Sequence, residues 1–282
     1  MAQADDAPIR DAGHGTPSHL RSGILDEMRL LKTISMLTMT LALTVAAARG
    51  QAQDESLPDA PQPAVTLLST PKNFLRDQAA IWTSPIRLRT SNAAGPALLV
   101  LATTVAITTD HQVLSSEVTH DASINSHFDT ASQGLVGLFV AGPALFYGVG
   151  HFKHDEHASE TGILGGEAIA DSLAVDEAAK IISRRERPAL DGARGKFFQP
   201  GVDFDSSFPS THSIVAWSSA AVIASEYPGV LTQITAYGLA TATSLSRVFA
   251  QQHFSSDVLV GSAVGWMIGR YVVRRHRHFD VE

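Results

Sequence analysis

The chain of 282 residues contains no cysteine, which excludes disulfides, thiolate metal sites and cysteine nucleophiles. Charge is sparse, at 17% of residues, and aromatics make up 7%. With 21 Lys and Arg against 28 Asp and Glu, the net charge of −7 gives no reason to expect a nucleic-acid partner. Neither internal repeats nor runs of period-two alternation occur, so a β-rich or solenoid architecture is not indicated. What the sequence does have is 44% hydrophobic content, enough for one large domain with a sizeable core. The basic residues are also uneven: Lys180, Arg184, Arg185, Arg187, Arg194 and Lys196 crowd into one short stretch. Local basicity in an acidic protein points to an anionic ligand rather than an anionic polymer.

The N-terminal region divides by composition. Residues 28–52 have a basic beginning at Arg29 and Lys32, an apolar run from Ile34 to Ala48, and small residues suited to cleavage. That order is the one found in secretory signal peptides, and it implies an exported protein, periplasmic or attached to the outer side of a membrane. Residues 1–27 are polar and sit awkwardly ahead of a signal peptide, so they read as a non-native upstream extension with Met28 as the true start. Residues 53–90, with Pro58, Pro61, Pro63 and Pro71, read as an extended or partly disordered lead-in. Within it Gln78 to Ile86, with Trp82 and Pro85, reads as a packed segment. The main domain is expected over 91–274, followed by a short charged tail, 275–282.

Within that domain apolar segments fall at about 95–109, 133–150, 161–182, 210–226, 230–247 and 257–273. Their Ala, Leu and Val content and their lengths predict helices, hence an all-α antiparallel bundle. Stops are expected at Asp110-His111, Gly148 to Gly150, Arg187-Pro188 and Tyr227-Pro228-Gly229. Segment 161–182 carries Glu167, Asp171, Asp176, Glu177 and Lys180, charges that cost about 2.5–3.5 kcal/mol each at the centre of a bilayer. Most other segments are shorter than the roughly 20 residues a membrane span needs. These features favour a soluble or peripherally attached domain, whereas the flank Arg274-Arg275-His276-Arg277 after an apolar helix favours an integral one.

Three short motifs carry the chemistry. They are Lys180-IISRRE-Arg187-Pro188, then Pro209-Ser210-Thr211-His212, then Ser246-Arg247-VFAQQ-His253-FSS-Asp257. Phosphoryl transfer needs charge neutralisation around three equatorial oxygens, an in-line nucleophile and a proton for the leaving oxygen. Lys180, Arg187 and Arg247 supply cations, and the arginine fork can grip two oxygens at once. Ser210 opens the helix that runs to Glu226, where its hydroxyl and the first-turn N–H groups suit an anion. Asp257, four residues after His253, is placed to accept a hydrogen bond from one imidazole nitrogen and leave the other free.

Together the motifs resemble the signature of the type 2 phosphatidic acid phosphatase (PAP2) superfamily, which includes bacterial class A acid phosphatases, glucose-6-phosphatase and vanadium haloperoxidases. Internal spacings match position for position, and the separations, 20 residues from Pro188 to Pro209 and 33 from His212 to Ser246, also suit it. The resemblance implies an all-α bundle and a phosphatase acting on phosphomonoesters, including lipid phosphates or pyrophosphates, through a phosphohistidine. It assigns His253 as nucleophile, Asp257 as its orienting carboxylate and His212 as acid and then base, with Lys180, Arg187, Ser210, Thr211 and Arg247 binding phosphate. Both histidines are expected to act near neutral pH without large pKa shifts. No cofactor or metal is expected, and vanadate is expected to bind as an inhibitor or transition-state mimic. Thr211 departs from the family, which usually has Gly there; its side chain narrows the loop.

Two other readings share these residues. One is a vanadium-dependent haloperoxidase in which His253 ligates vanadate; the other is a non-catalytic phosphate-binding module associated with a membrane. Arg184 and Arg185 read as a solvated basic turn. His151, His154, Asp155 and His157 have metal-like spacing but sit in a polar connection, so a solvated loop is the expected outcome. Asp110, His111, His120 and His127 fall in a connection, 110–132, placed to lid the site.

Overall fold

The computed structural model describes residues 65–277 apart from 88, 90–92 and 203. The upstream extension, the signal peptide, residues 53–64 of the lead-in and the last five residues of the tail lie outside the described residues. Every regular element among the described residues is helical: α1 (Thr70–Thr83), α2 (Ala94–Ser116), α3 (Ala122–Lys153), α4 (Glu156–Ser183), α5 (Thr211–Glu226), α6 (Val230–Phe249) and α7 (Ser255–His276). The fold is all-α, as the apolar periodicity predicts.

α5 is the central helix. From Ser213 to Glu226 nearly every side chain is buried, and α3, α4, α6 and α7 surround it. Such a helix must be apolar or small all round, and Ser213, Ala216, Ser218, Ser219, Ala220 and Ala221 meet that demand. Trp217 fills the gap toward α6, stacking on Tyr237 at 5.6 Å while its Nε1 donates to Ser244 Oγ at 3.2 Å.

α7 lies against α5 almost backbone to backbone. Gly261, Gly265 and Gly269, spaced by four, face the carbonyls of Ser210, Ile214 and Ser218; a Cβ on Gly265 would sit 2.2 Å from Ile214 O. This stripe sets the distance between the N-terminal ends of α5 and α7, where two of the three motifs lie. α3 and α4 use the same device in another form. Pro143 within α3 faces Gly162 and Gly165 of α4, whose missing side chains admit the α3 backbone.

Several boundaries differ from the sequence expectation. Asp110-His111 does not stop α2, which continues to Ser116, and Gly148 to Gly150 do not stop α3, which continues to Lys153. Interior glycine costs a helix only about 1 kcal/mol, and close packing on α4 requires its absence of a side chain at Gly150, where a Cβ would meet Ser159 N at 2.4 Å. The expected lid over 110–132 is therefore helix on both sides of a short turn, and Asp121 caps α3 by accepting from Ser123 N and Ile124 N. α2 and α3 are consequently long and apolar enough to cross a membrane, contrary to the shorter segments read from sequence. Leu98, Val100, Leu101, Val105, Leu138, Val140, Leu145 and Val149 point outward from them.

The lead-in also contains a helix. α1 docks by its polar face: Asn73 donates to Glu167 at 3.0 Å, Gln78 to Asp171 at 2.8 Å, and Asp77 meets His276 Nε2 at 2.6 Å and Tyr271 OH at 3.0 Å. Its outward side carries Leu75 and Trp82, and Ile86 follows it, all exposed; of the segment read as packed, Gln78 and Ile81 turn inward while Trp82 and Pro85 are exposed.

Replacing Gly265 by Ala is expected to push α7 off α5 and cost about 1–3 kcal/mol, the range for overpacking a filled interior, read as a lower Tm. Gly238→Ala, with nothing within 4 Å of the added Cβ, is expected to leave Tm unchanged or raise it.

Candidate functional site

The C-terminal end of α4, the N-terminal ends of α5 and α7, and the C-terminal end of α6 meet on one side of the bundle. Lys180 Nζ donates to Thr211 Oγ1, joining α4 to α5. Ser210 N donates to Asp257 O at 3.2 Å, joining α5 to α7. Arg187 Nη1 donates to Gln252 O at 3.4 Å, beside His253. The three motifs, separated by up to 77 positions from Lys180 to Asp257, thus form one cluster.

The segment between α4 and α5 is folded back by its own backbone. Phe198 N donates to Ser183 O at 2.8 Å, Gln199 N to Arg184 O at 3.1 Å and Ser207 N to Arg185 O at 2.9 Å. Ser183 Oγ reaches Phe208 O at 2.7 Å, and Ser206 Oγ accepts from Arg185 N at 2.9 Å. This delivers the carbonyl of Ser207 to His253, whose Nδ1 lies 2.8 Å from it. A carbonyl can only accept, so Nδ1 carries the hydrogen and Nε2 keeps the lone pair. Asp257 Oδ2 is 3.7 Å from the same nitrogen, beyond a hydrogen bond, and acts on the ring by its charge. The expected Asp257 to His253 bond on one helical turn is not formed, because α7 starts at Ser255 and His253 precedes it. Asp257 instead caps α7, with Oδ2 accepting from Phe254 N at 2.8 Å.

Each cation has a carboxylate behind it. Lys180 pairs with Asp176 at 2.9 Å, Arg187 with Asp205 at 2.9 Å, and Arg247 with Asp129 and with Ser132 Oγ at 2.9 Å. Asp129 and Ser132 come from α3, in the stretch read from sequence as a connection; no local signal marks them. Thr211 does more than narrow the loop, since its hydroxyl also donates to Asp176 Oδ2 at 2.7 Å and so bridges both members of the Lys180 pair. Ser210 Oγ, His212 Nε2 and Arg247 Nε are buried polar atoms with no hydrogen-bond partner among the described residues. Unpaired buried groups are costly, and these three come from the second and third motifs.

Arg185 is not a solvated turn residue. It is 1% exposed, lies between Phe254 at 4.0 Å and Phe197 at 4.7 Å, and forks between Asp257 Oδ1 at 2.6 Å and Asp110 Oδ2 at 2.8 Å. Arg184, half-buried, takes the left-handed cap position of α4. The histidines with metal-like spacing separate: His151 stacks on Tyr147, His154 ends α3 in a left-handed conformation, and His157 binds Glu226 at 3.1 Å and stacks on Tyr227. Asp155 caps α4 by accepting from Ala158 N at 3.0 Å.

The histidine pKa values depart from the near-neutral expectation. Burial, then Arg247, His253, Arg187 and Lys180, push His212 down to about 3. Burial also lowers His253, with Arg187 and Arg247 adding to it and Asp257 opposing. Both rings are therefore neutral at neutral pH. The cations that depress His212 are the ones a phosphate dianion would neutralise, so an anion between them returns that ring toward its ordinary range.

The helix ends thus bring neutral imidazoles together with cations that are each backed by a carboxylate. Residues 163–279 match the family described as the PAP2 superfamily. The chain is also similar to the Lipid A 1-phosphatase of Porphyromonas gingivalis, 35% identical over 66 residues, which cover 23% of this chain and 15% of the relative's length. No solved structure matches the chain.

The His212 ring is expected to show no NMR titration between about pH 5 and 8 in buffer free of oxyanions, since its pKa lies near 3. Added inorganic phosphate is expected to bring the midpoint up, and Arg247→Gln to raise it without phosphate.

Proposed function

We propose that the protein is a membrane-associated phosphatase that hydrolyses phosphomonoesters, lipid phosphates foremost, through a phosphohistidine on His253. The observation that carries this is the convergence of Ser210 Oγ, His212 Nε2 and Arg247 Nε, buried and unpartnered, with the cations of Lys180 and Arg187 beside them. Preorganised donors of this kind stabilise the charge that develops on a transferring phosphoryl group.

His253 Nε2 attacks phosphorus in line while the bond from phosphorus to the ester oxygen breaks. His212 gives its proton to that oxygen, which leaves as the alcohol. The neutral His212 then takes a proton from water, whose oxygen attacks the phosphohistidine; the phosphorus to Nε2 bond breaks and inorganic phosphate departs. Ser207 O fixes the reactive tautomer of His253, and Asp257 favours the positive charge the ring acquires. Burial and the arginines keep His253 unprotonated, which sustains the nucleophile into mild acid.

A lipid substrate is supported by the name of the relative and by apolar surface next to the cations. Ile181 and Ile182 follow Lys180, while Leu190, Phe198 and Phe204 lie on the segment that carries Arg187, all of them exposed. α2 and α3 supply apolar length for a bilayer. Export to the periplasmic side, read from residues 28–52, belongs to the same proposal.

His253→Ala is expected to abolish phosphate release, and acid-labile enzyme-bound phosphate is expected on the wild type but not on this variant. His212→Ala is expected to slow hydrolysis of alkyl esters about 10²- to 10⁴-fold and aryl esters less, because phenolates leave without a proton. Vanadate is expected to inhibit competitively. Full activity in His253→Ala defeats the assignment, and a soluble sugar phosphate outperforming a lipid phosphate in mixed micelles defeats the substrate class.

A further inference from the structure

We infer that Arg185, held from behind by Asp110 of α2, is a positioning residue that sets His253 by gripping both groups facing its Nδ1. This rests on the proposed phosphatase activity. Arg185 touches no reacting atom; it acts through Asp257 and Ser207.

Two routes run from this residue. Its side chain donates through Nη1 to Asp257 Oδ1 at 2.6 Å, leaving Oδ2 turned toward His253 Nδ1 at 3.7 Å. Its main-chain carbonyl accepts from Ser207 N at 2.9 Å, and the Ser207 carbonyl faces the same ring nitrogen at 2.8 Å. The guanidinium is itself fixed: Nη2 donates to Asp110 Oδ2 at 2.8 Å, Nη1 also to Ser256 Oγ at 2.6 Å, and Nε to Gly195 O at 3.2 Å. Ser256 in turn donates to Asp110 from both its hydroxyl and its backbone N–H. Phe197 and Phe254 cover the two faces of the guanidinium plane.

A residue with five planar donors is required here. A lysine ammonium keeps the charge but cannot span Asp257, Asp110 and the Gly195 carbonyl from one point. The carboxylate at the back comes from α2, a helix that turns most of its apolar surface outward and buries only Ala106, Asp110 and Leu114. α2 therefore reaches the site through Asp110, which binds both Arg185 and Ser256, and the placement of His253 depends on α2 being seated.

The test compares kcat on a lipid phosphate with the competitive inhibition constant of inorganic phosphate, a ligand of the cations. Arg185→Lys is expected to lower kcat about tenfold to a hundredfold, the effect of slight misplacement of a reacting group, with the phosphate inhibition constant changed less than about threefold. The double variant Arg185→Gln with Asp110→Asn removes both charges of the rear pair together and is expected to stay as slow as Arg185→Lys. Should Arg185→Lys fail to fold, Asp110→Asn alone is expected to lower kcat with phosphate affinity retained. Arg185→Lys within twofold of wild type, equal loss of kcat and phosphate affinity, or recovery of kcat in the double variant overturns the inference. A wild type that releases no phosphate overturns instead the phosphatase proposal on which it rests.

Discussion

The contact on which the site depends is buried and ionic: one guanidinium between two carboxylates, Arg185 between Asp110 and Asp257. It joins α2, the segment between α4 and α5, and the start of α7. Taking three charges out of water is expensive, and their attraction repays it only when every lone pair and proton is used. Here Ser256, Gly195 O and the Phe254 amide complete the set, and two aromatic faces exclude water. Deleting one member of such an arrangement typically costs about 3–5 kcal/mol, because the others stay buried.

The same logic extends outward to the cations that face the ligand. Lys180, Arg187 and Arg247 are each fixed by a carboxylate, Asp176, Asp205 and Asp129, while further donor capacity remains, as at Arg247 Nε, which is the arrangement the proposed anion site requires. The carboxylates orient the donors beforehand, so little reorganisation is left for the moment of binding. His212 registers the resulting field most strongly. Its low pKa follows first from burial and then from four charged or chargeable neighbours, and an anion beside them would oppose the contribution of the cations.

Packing supports this electrostatic arrangement by fixing backbones rather than by filling a pocket. The Gly261, Gly265 and Gly269 stripe holds α7 against α5, so that Ser210 N can reach Asp257 O, and the central position of α5 surrounds its polar N-terminal end with four helices. α2 and α3 stand differently, since most of their apolar side chains face outward while a few residues, Asp110 and Leu114 of α2 and Asp129, Ser132 and Phe139 of α3, reach in. That division suits helices that meet lipid on one side and the site on the other.

The motifs were legible in the sequence because each is a short stretch whose residue types and spacing follow from what a phosphoryl group demands. The all-α class was legible because helical periodicity and segment length are local. The true lengths of α2 and α3 were not, since Asp110 and Gly150 are locally unfavourable to a helix and are tolerated for what they contact: Arg185 in one case, the start of α4 in the other. The burial of Arg185, the bridging hydroxyl of Thr211, the pairing of Arg247 with Asp129 and the separation of His151, His154 and His157 likewise depend on partners far along the chain. Sequence by itself determined that the fold is helical and which three motifs the proposed chemistry would use. Only the tertiary structure decided which charges are paired, which histidine nitrogen is free and which basic residues face the ligand, because burial and long-range contacts set the cost of each charge.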